Sequence, residues 1–277
     1  MPLIFIGNNN RLSHIVAGKQ VADYIKAPWN PKTISKDDTM ISFEYASIIS
    51  NIDNKLYLHS GDLLKGSNDI EDILRKATGL IVENSLIRDY YLRNGFRNLT
   101  LIPHHHCNFE NIVHEKKDRP FTVGYAGSIC GIDYNLSLLG FRLFKEGIEF
   151  VCLFCDDDSR SREVVCDFYG LIDAQVSFRK EQETLQDTDN GKAIFTCALK
   201  VTNGCAFGVP TVAYPSTVYK NEFDGYFLEA FSIQDIVDQC KKLRDEKSLY
   251  EDLSNKGLGI AKKYHISKTS QLYLELD

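Results

Sequence analysis

Short apolar runs alternate with longer amphipathic stretches along nearly the whole chain, and this alternation limits the fold more than any other feature. Runs of four to six residues rich in Val, Ile, Leu and Phe are too short for buried helices and read as strands. Apolar residues spaced three and four apart read as helices. Strands are expected at 3–6, 39–43, 55–59, 79–82 and 99–102, and again at 122–126, 150–154, 175–178 and 211–214. Helices are expected at 13–25, from Ser85 towards Asn94-Gly95, at 204–207, at 232–245 and at 248–264. Strand and helix in alternation is the βαβ signature of a parallel sheet, so the chain belongs to the α/β class.

With 277 residues, the chain is long enough for two domains of roughly 100–150 residues each. The polar segment 105–120, ending Glu115-Lys116-Lys117-Asp118-Arg119-Pro120, is the best interdomain linker. It divides the chain into domains at 1–113 and 120–264, with a tail at 265–277. A net charge of -6 disfavours a broad nucleic-acid footprint, which needs clustered Lys and Arg. No apolar run approaches the roughly 20 residues that span a bilayer, and the start Met1-Pro2-Leu3-Ile4-Phe5-Ile6 reads as a strand, not a signal peptide. Eight scattered cysteines suit reduced thiols, and the expected location is cytoplasmic. Cys152 and Cys155 form a C-x-x-C within an apolar run that reads as a buried strand.

The densest chemistry lies in LKVTNGCAFGVPTVAYPSTVYKNE, residues 199–222. Lys200, Thr202 and Asn203 are expected on a turn entering a helix, where backbone N–H groups and the helix dipole favour an anion. Gly208 ends that helix, a strand follows, and Tyr219, Lys220 and Glu222 are expected on the loop beyond the strand's carboxyl end. Ligands of open α/β sheets bind at that edge. Arg179 stands just past the strand at 175–178 as a second cation. Gly7-Asn8 and Gly127-Ser128 are small-residue turns after the first strand of each half, where a ligand approaches the backbone closely. Neither completes G-x-G-x-x-G, so no dinucleotide is expected. Ser13-His14 follows the first turn, and His59 with Asp62 ends a strand. His104-His105-His106-Cys107 is a zinc-competent set of imidazoles and thiol, but no second pair stands at ligand spacing. The expectation there is no metal and a lining role near the domain hinge.

The order K-x-x-N, then A-x-G-x-P-x-V-A-x-P, then Y-x-x-E resembles the donor-binding half of GT-B glycosyltransferases of the retaining, glycogen-synthase-like type (glycosyltransferase group 1, or GT4-like). Residues 79–104 resemble the last unit of the family's first domain, and 121–128 resemble the first strand and glycine loop of its second. The resemblance implies two Rossmann-like domains facing a cleft, closing over a nucleotide-diphosphate sugar as co-substrate. A sugar would pass to an acceptor hydroxyl of a glycan, glycoconjugate or small molecule. It implies a hexosyl- or pentosyltransferase without a metal cofactor. Lys200 and Arg179 would stabilise the departing diphosphate, with Glu222 orienting the donor and His14 on the transferred sugar. Gly127, Ser128, Thr202, Asn203 and Tyr219 would complete the donor side. Gly7, Asn8, Ser13, His59, Asp62 and His104 to His106 would form the acceptor side, and the tail would pack back on the first domain. The family's usual glutamate eight residues before Glu222 is Tyr214 here.

Three other readings stand beside this one. Asp156 and Asp158 follow an apolar strand in the manner of a metal-dependent GT-A transferase, where paired carboxylates hold a hard cation. The missing upstream glutamate suits a non-catalytic sugar-nucleotide or glycan-binding module. An acceptor that is a hydroxylated DNA base keeps the enzyme and changes its partner, against the acidic charge.

Overall fold

The structure is a computed structural model that describes residues 2–9, 11, 14–43, 54–60, 76–115, 118–127, 135–154, 161–179 and 197–276. Asp156, Asp158, Asp62, Ser13, Ser128 and Cys155 lie outside the described residues. Contacts divide the chain into two units. The described residues up to His105, Cys197 and the segment from Ile266 form the first, and His106 onward with 198–265 forms the second.

The first unit is built on five parallel strands, β1 (Leu3–Ile6), β2 (Thr39–Ser42), β3 (Lys55–His59), β4 (Gly79–Val82) and β5 (Leu99–Leu101), hydrogen-bonded in that order. A π-helical turn, Ile15–Lys19, runs into α1 (Gln20–Ile25). Trp29 then bridges Phe5 in parallel on the outer side of β1, through Phe5 N to Pro28 O at 2.9 Å and Asn30 N to Phe5 O at 2.8 Å. The chain therefore leaves β1 outward and returns to β2 on its other side, which makes a topological switch point at β1. Alternate strand residues bury on opposite faces. Ile4, Met40, Leu58, Leu80 and Val82 pack with Ile87 and Tyr91 of α2 (Ser85–Arg93), while Phe5, Ile41, Tyr57 and Ile81 pack with Ala17, Val21 and Tyr273. Tyr273 belongs to α9 (Ile266–Leu274), and its ring lies 5.5 Å from that of Phe5.

The second unit has the strand order β10-β9-β8-β6-β7, all parallel: β6 (Thr122–Gly127), β7 (Glu149–Phe154), β8 (Ala174–Ser177), β9 (Thr211–Ala213) and β10 (Phe227–Glu229). From β6 the chain crosses through α3 (Leu136–Lys145) to the edge strand β7, then returns through α4 (Arg162–Tyr169) to β8 on the far side of β6. This is a second switch point. One face buries Val123, Tyr125, Val176 and Val212 against Leu139, Leu143 and α7 (Ile233–Asp245), whose Ile236, Val237, Cys240 and Leu243 keep the three-and-four spacing. Removing one such fully buried leucine, Leu139→Ala, is expected to cost about 2–5 kcal/mol. The other face holds Phe168 and Tyr169 of α4, Ile172 after it, and Phe207 of α5 (Leu199–Phe207). α6 (Thr217–Phe223) and α8 (Lys247–Ala261) complete the unit.

Several expectations are corrected here. α5 begins at Leu199, not Gly204, so Thr202 and Asn203 lie inside the helix and not on a turn before it. Tyr219, Lys220 and Glu222 lie on α6, not on a loop, because Ser216 caps that helix through Tyr219 N. The polar segment after His104 is not a plain linker, since His105, His106, Cys107 and Asn108 are all buried. β7 is the sheet edge and Cys152 is exposed, so the C-x-x-C run is not a buried strand.

Candidate active site

Each sheet gathers polar residues at its carboxyl edge, next to its switch point. In the second unit the edge is cationic. β6 ends at Gly127 with φ +152°, and a Cβ there would meet Lys200 Nζ at 2.9 Å and Tyr125 Oη at 3.0 Å. Only a glycine admits that approach without displacing the ammonium. Lys200 extends from the first turn of α5 and lies over the Tyr125 ring, Nζ 4.6 Å from its centroid. The helix turn is anchored below, because Gln175 Nε2 donates to Lys200 O at 2.6 Å and to Thr211 Oγ1 at 2.6 Å. Gly208, with φ +68°, takes the left-handed position that closes α5. Arg179 is exposed two residues past β8.

Thr202 and Asn203 each make a hydrogen bond within the fold. Thr202 Oγ1 donates to Ala198 O at 2.9 Å, and Asn203 Oδ1 accepts the buried Cys107 N–H at 2.9 Å. Tyr219 is buried, its hydroxyl 2.9 Å from Ser177 Oγ at the end of β8. Glu222 is half-buried on α6. Burial and then the Glu222 charge push the Tyr264 hydroxyl upward.

In the first unit the edge is aromatic and histidine-rich. Asn8 N donates to His14 Nδ1 at 2.9 Å, and Gly7 is bracketed by Asn30, which accepts from Gly7 N at 3.0 Å and donates to Gly7 O at 2.8 Å. From His14 a row of rings crosses the strand ends: Phe43 at 5.6 Å, His59 stacked on Phe43 at 4.5 Å, then His104 at 6.1 Å from His59. Glu83, immediately after β4, meets His104 Nε2 at 2.7 Å and His59 Nδ1 at 3.7 Å. Burial opposes charging of both His104 and Glu83, but their mutual attraction wins, raising His104 and holding Glu83 below the usual carboxylate range. His59 has burial as its largest influence and is pushed down to about 3, so it is a neutral imidazole near neutral pH.

The three consecutive histidines do not act together. His104 joins Glu83, His105 Nε2 bonds Val16 O at 2.8 Å, and His106 belongs to the second unit, edge-on to His265 at 5.4 Å. His105 and His106 thus make these contacts away from the Glu83–His104 pair. Glu83 was not anticipated as a site residue. Its signal was a carboxylate directly after the apolar run 79–82.

Two all-parallel units, each wound both ways from a switch point with its polar cluster at the carboxyl edge, define the GT-B fold. Among solved structures the chain is similar to TarM, with TM-score 0.58 and 13% identity, over 92% of this chain and 57% of TarM. It is equally similar to a glycine-to-arginine mutant of S. aureus TarM in complex with fondaparinux, alpha-GlcNAc-glycerol and UDP, at 0.58 and 15% over the same shares. The lipopolysaccharide outer core galactosyltransferase WaaB, in its apo form, matches with TM-score 0.57 and 9% identity over 99% of this chain and 98% of WaaB. The chain thus spans little more than half of TarM and nearly all of WaaB. No family model and no curated protein matches the sequence. Among the described residues, no helix is long and apolar enough to cross a membrane.

Proposed function

We propose that this protein is a glycosyltransferase that moves a sugar from a nucleotide-diphosphate sugar to an acceptor hydroxyl, with retention and without a metal on the diphosphate. The observation that carries the reading is Lys200 Nζ held against the backbone of Gly127 at the carboxyl edge of β6. A cation at the end of a glycine turn is placed to neutralise a departing diphosphate, and fixed charge beside a leaving group is the largest single source of such rate enhancement. Arg179 supplies the second cation, and Glu222 remains the candidate for orienting the donor. Gly127, at the end of β6, receives the phosphates, with Ser128 next in sequence as the further candidate. Gly7, Asn8, His14, His59 and His104 form the acceptor side, where imidazoles beside aromatic rings suit a hydroxylated ligand. The fold likeness to a galactosyltransferase and to a transferase solved with UDP supports this reading.

A turnover screen with UDP-, GDP-, ADP- and dTDP-sugars tests it. One donor is expected to be consumed, with no increase when Mg²⁺ or Mn²⁺ is added and with loss of turnover in Lys200→Ala. Consumption of no donor, or full activity in the variant, would sink the assignment. Anomeric analysis of the product decides retention.

A further inference from the structure

We propose that Glu83, His104 and Cys197 form a zinc site in the first unit, which shares His104 with the proposed acceptor side but does not rest on the sugar-transfer assignment. The three residues offer one carboxylate oxygen, one imidazole nitrogen and one thiol sulfur, and these atoms all lie within 4.8 Å of one another. They converge from separate parts of the chain: Glu83 follows β4, His104 follows β5, and Cys197 precedes α5. Zinc bonds of about 2.0–2.3 Å in a tetrahedron set ligand atoms roughly 3.3–3.8 Å apart, so the set closes on an ion with about an ångström of side-chain movement.

The polar surroundings point the same way. Glu83 and His104 have side chains 4% and 7% exposed, and His104 Nδ1 is buried with no hydrogen-bond partner among the described residues. An ion pair accounts for His104 Nε2 and Glu83. It does not account for the second imidazole nitrogen. A buried polar atom without a partner costs roughly 1–3 kcal/mol, so the ion pair alone leaves this cluster short of partners. Thiolate with imidazole and carboxylate selects zinc over magnesium or calcium, which prefer oxygen throughout. Three protein ligands leave one position of the tetrahedron open, and His59 Nδ1 lies 3.7 Å from Glu83 Oε1.

The full chain, purified and dialysed against zinc, is expected to retain one ion per chain by elemental mass spectrometry. Substitution with cobalt(II) should give a thiolate-to-metal charge-transfer band. Cys197→Ser and Glu83→Gln, checked for folding by circular dichroism, should each weaken zinc binding at least about 10-fold, while Cys205→Ser should not. In the unmutated protein, zinc should slow alkylation of Cys197 but not of exposed Cys152, read by peptide mass spectrometry. A folded wild-type protein without retained zinc or cobalt band would overturn the proposal. So would equal alkylation of Cys197 with and without zinc, or wild-type affinity in Cys197→Ser. Donor turnover enters none of these readouts, so this proposal and the transferase reading fail separately.

Discussion

Two buried carboxylates, Glu83 and Asp173, occupy opposite ends of parallel strands and have opposite kinds of company. Asp173 stands just before β8, at the amino edge of the second sheet. It accepts from Arg119 Nη1 at 2.8 Å and from Thr122 N at 2.8 Å, and lies 3.1 Å from His114 Nε2. Burial alone would raise its pKa, but His114, the Thr122 N–H and Arg119 together hold it low. Glu83 stands just after β4, at the carboxyl edge of the first sheet, among imidazoles of which one keeps a buried, unpartnered nitrogen. The difference separates a tie that fastens strands from a site left chemically incomplete. In open α/β sheets the carboxyl edge is where ligands arrive, and the amino edge has no such duty.

The largest expected effect lies at a carboxyl edge. Lys200→Ala should lower turnover about 100- to 1000-fold with little change in melting temperature, the size typical of removing one preorganised charge-stabilising donor. Steady-state kinetics beside a thermal melt reads both. An equal loss in stability would place Lys200 with the structural ties and break the comparison.

At the amino edge the balance reverses. Asp173→Asn should destabilise the second unit by roughly 3 kcal/mol, because it leaves a partly buried guanidinium without its counter-charge. Urea unfolding measures this. The sign with pH follows from the depressed carboxyl. Protons bind the unfolded chain first, so the stabilisation is complete above about pH 4 and is lost as pH falls through the folded-state value. The variant should lack that acid-dependent loss, and an unchanged acid profile would contradict the assignment.

Asn203→Ala sharpens the line between donor contact and scaffold. It strands the buried Cys107 N–H and should cost about 1–3 kcal/mol of stability without altering affinity for the donor. A selective rise in donor KM with normal unfolding would return Asn203 to the site. The smallest effect belongs to Tyr219→Phe, which removes the bond to Ser177 Oγ and is expected to cost about 1 kcal/mol in an unfolding titration.

The sheets were legible because a buried parallel strand is a continuous apolar run bounded by turns, a purely local pattern. Residues 3–6, 55–59 and 79–82 match β1, β3 and β4. Less was legible where structure depends on a distant partner. The Trp29 bridge is a single residue held by Phe5, and β10 is three residues paired to β9, too short to show a period. α6 carries exposed Lys220 and half-buried Glu222, and those polar residues read as a loop although Ser216 caps a helix there. In the site, Lys200 and Gly127 were each legible as a cation near a helix start and a glycine after a strand. Their meeting was not, since they are 73 residues apart in sequence. Asn203 shows the same limit: a polar side chain near a helix start reads as a ligand contact, and its bond to a partner 96 residues away comes only with the fold. Glu83 was hidden by His104, whose proximity comes only with the folded sheet.

The central claim is that a nucleotide diphosphate binds the carboxyl edge of the second sheet against Gly127 and Lys200. Hydrogen exchange with and without a saturating nucleoside diphosphate tests it most directly. Protection is predicted at the end of β6 and in the first turn of α5, and its loss in Lys200→Ala. Protection confined to other segments, or unchanged by that substitution, would contradict the account.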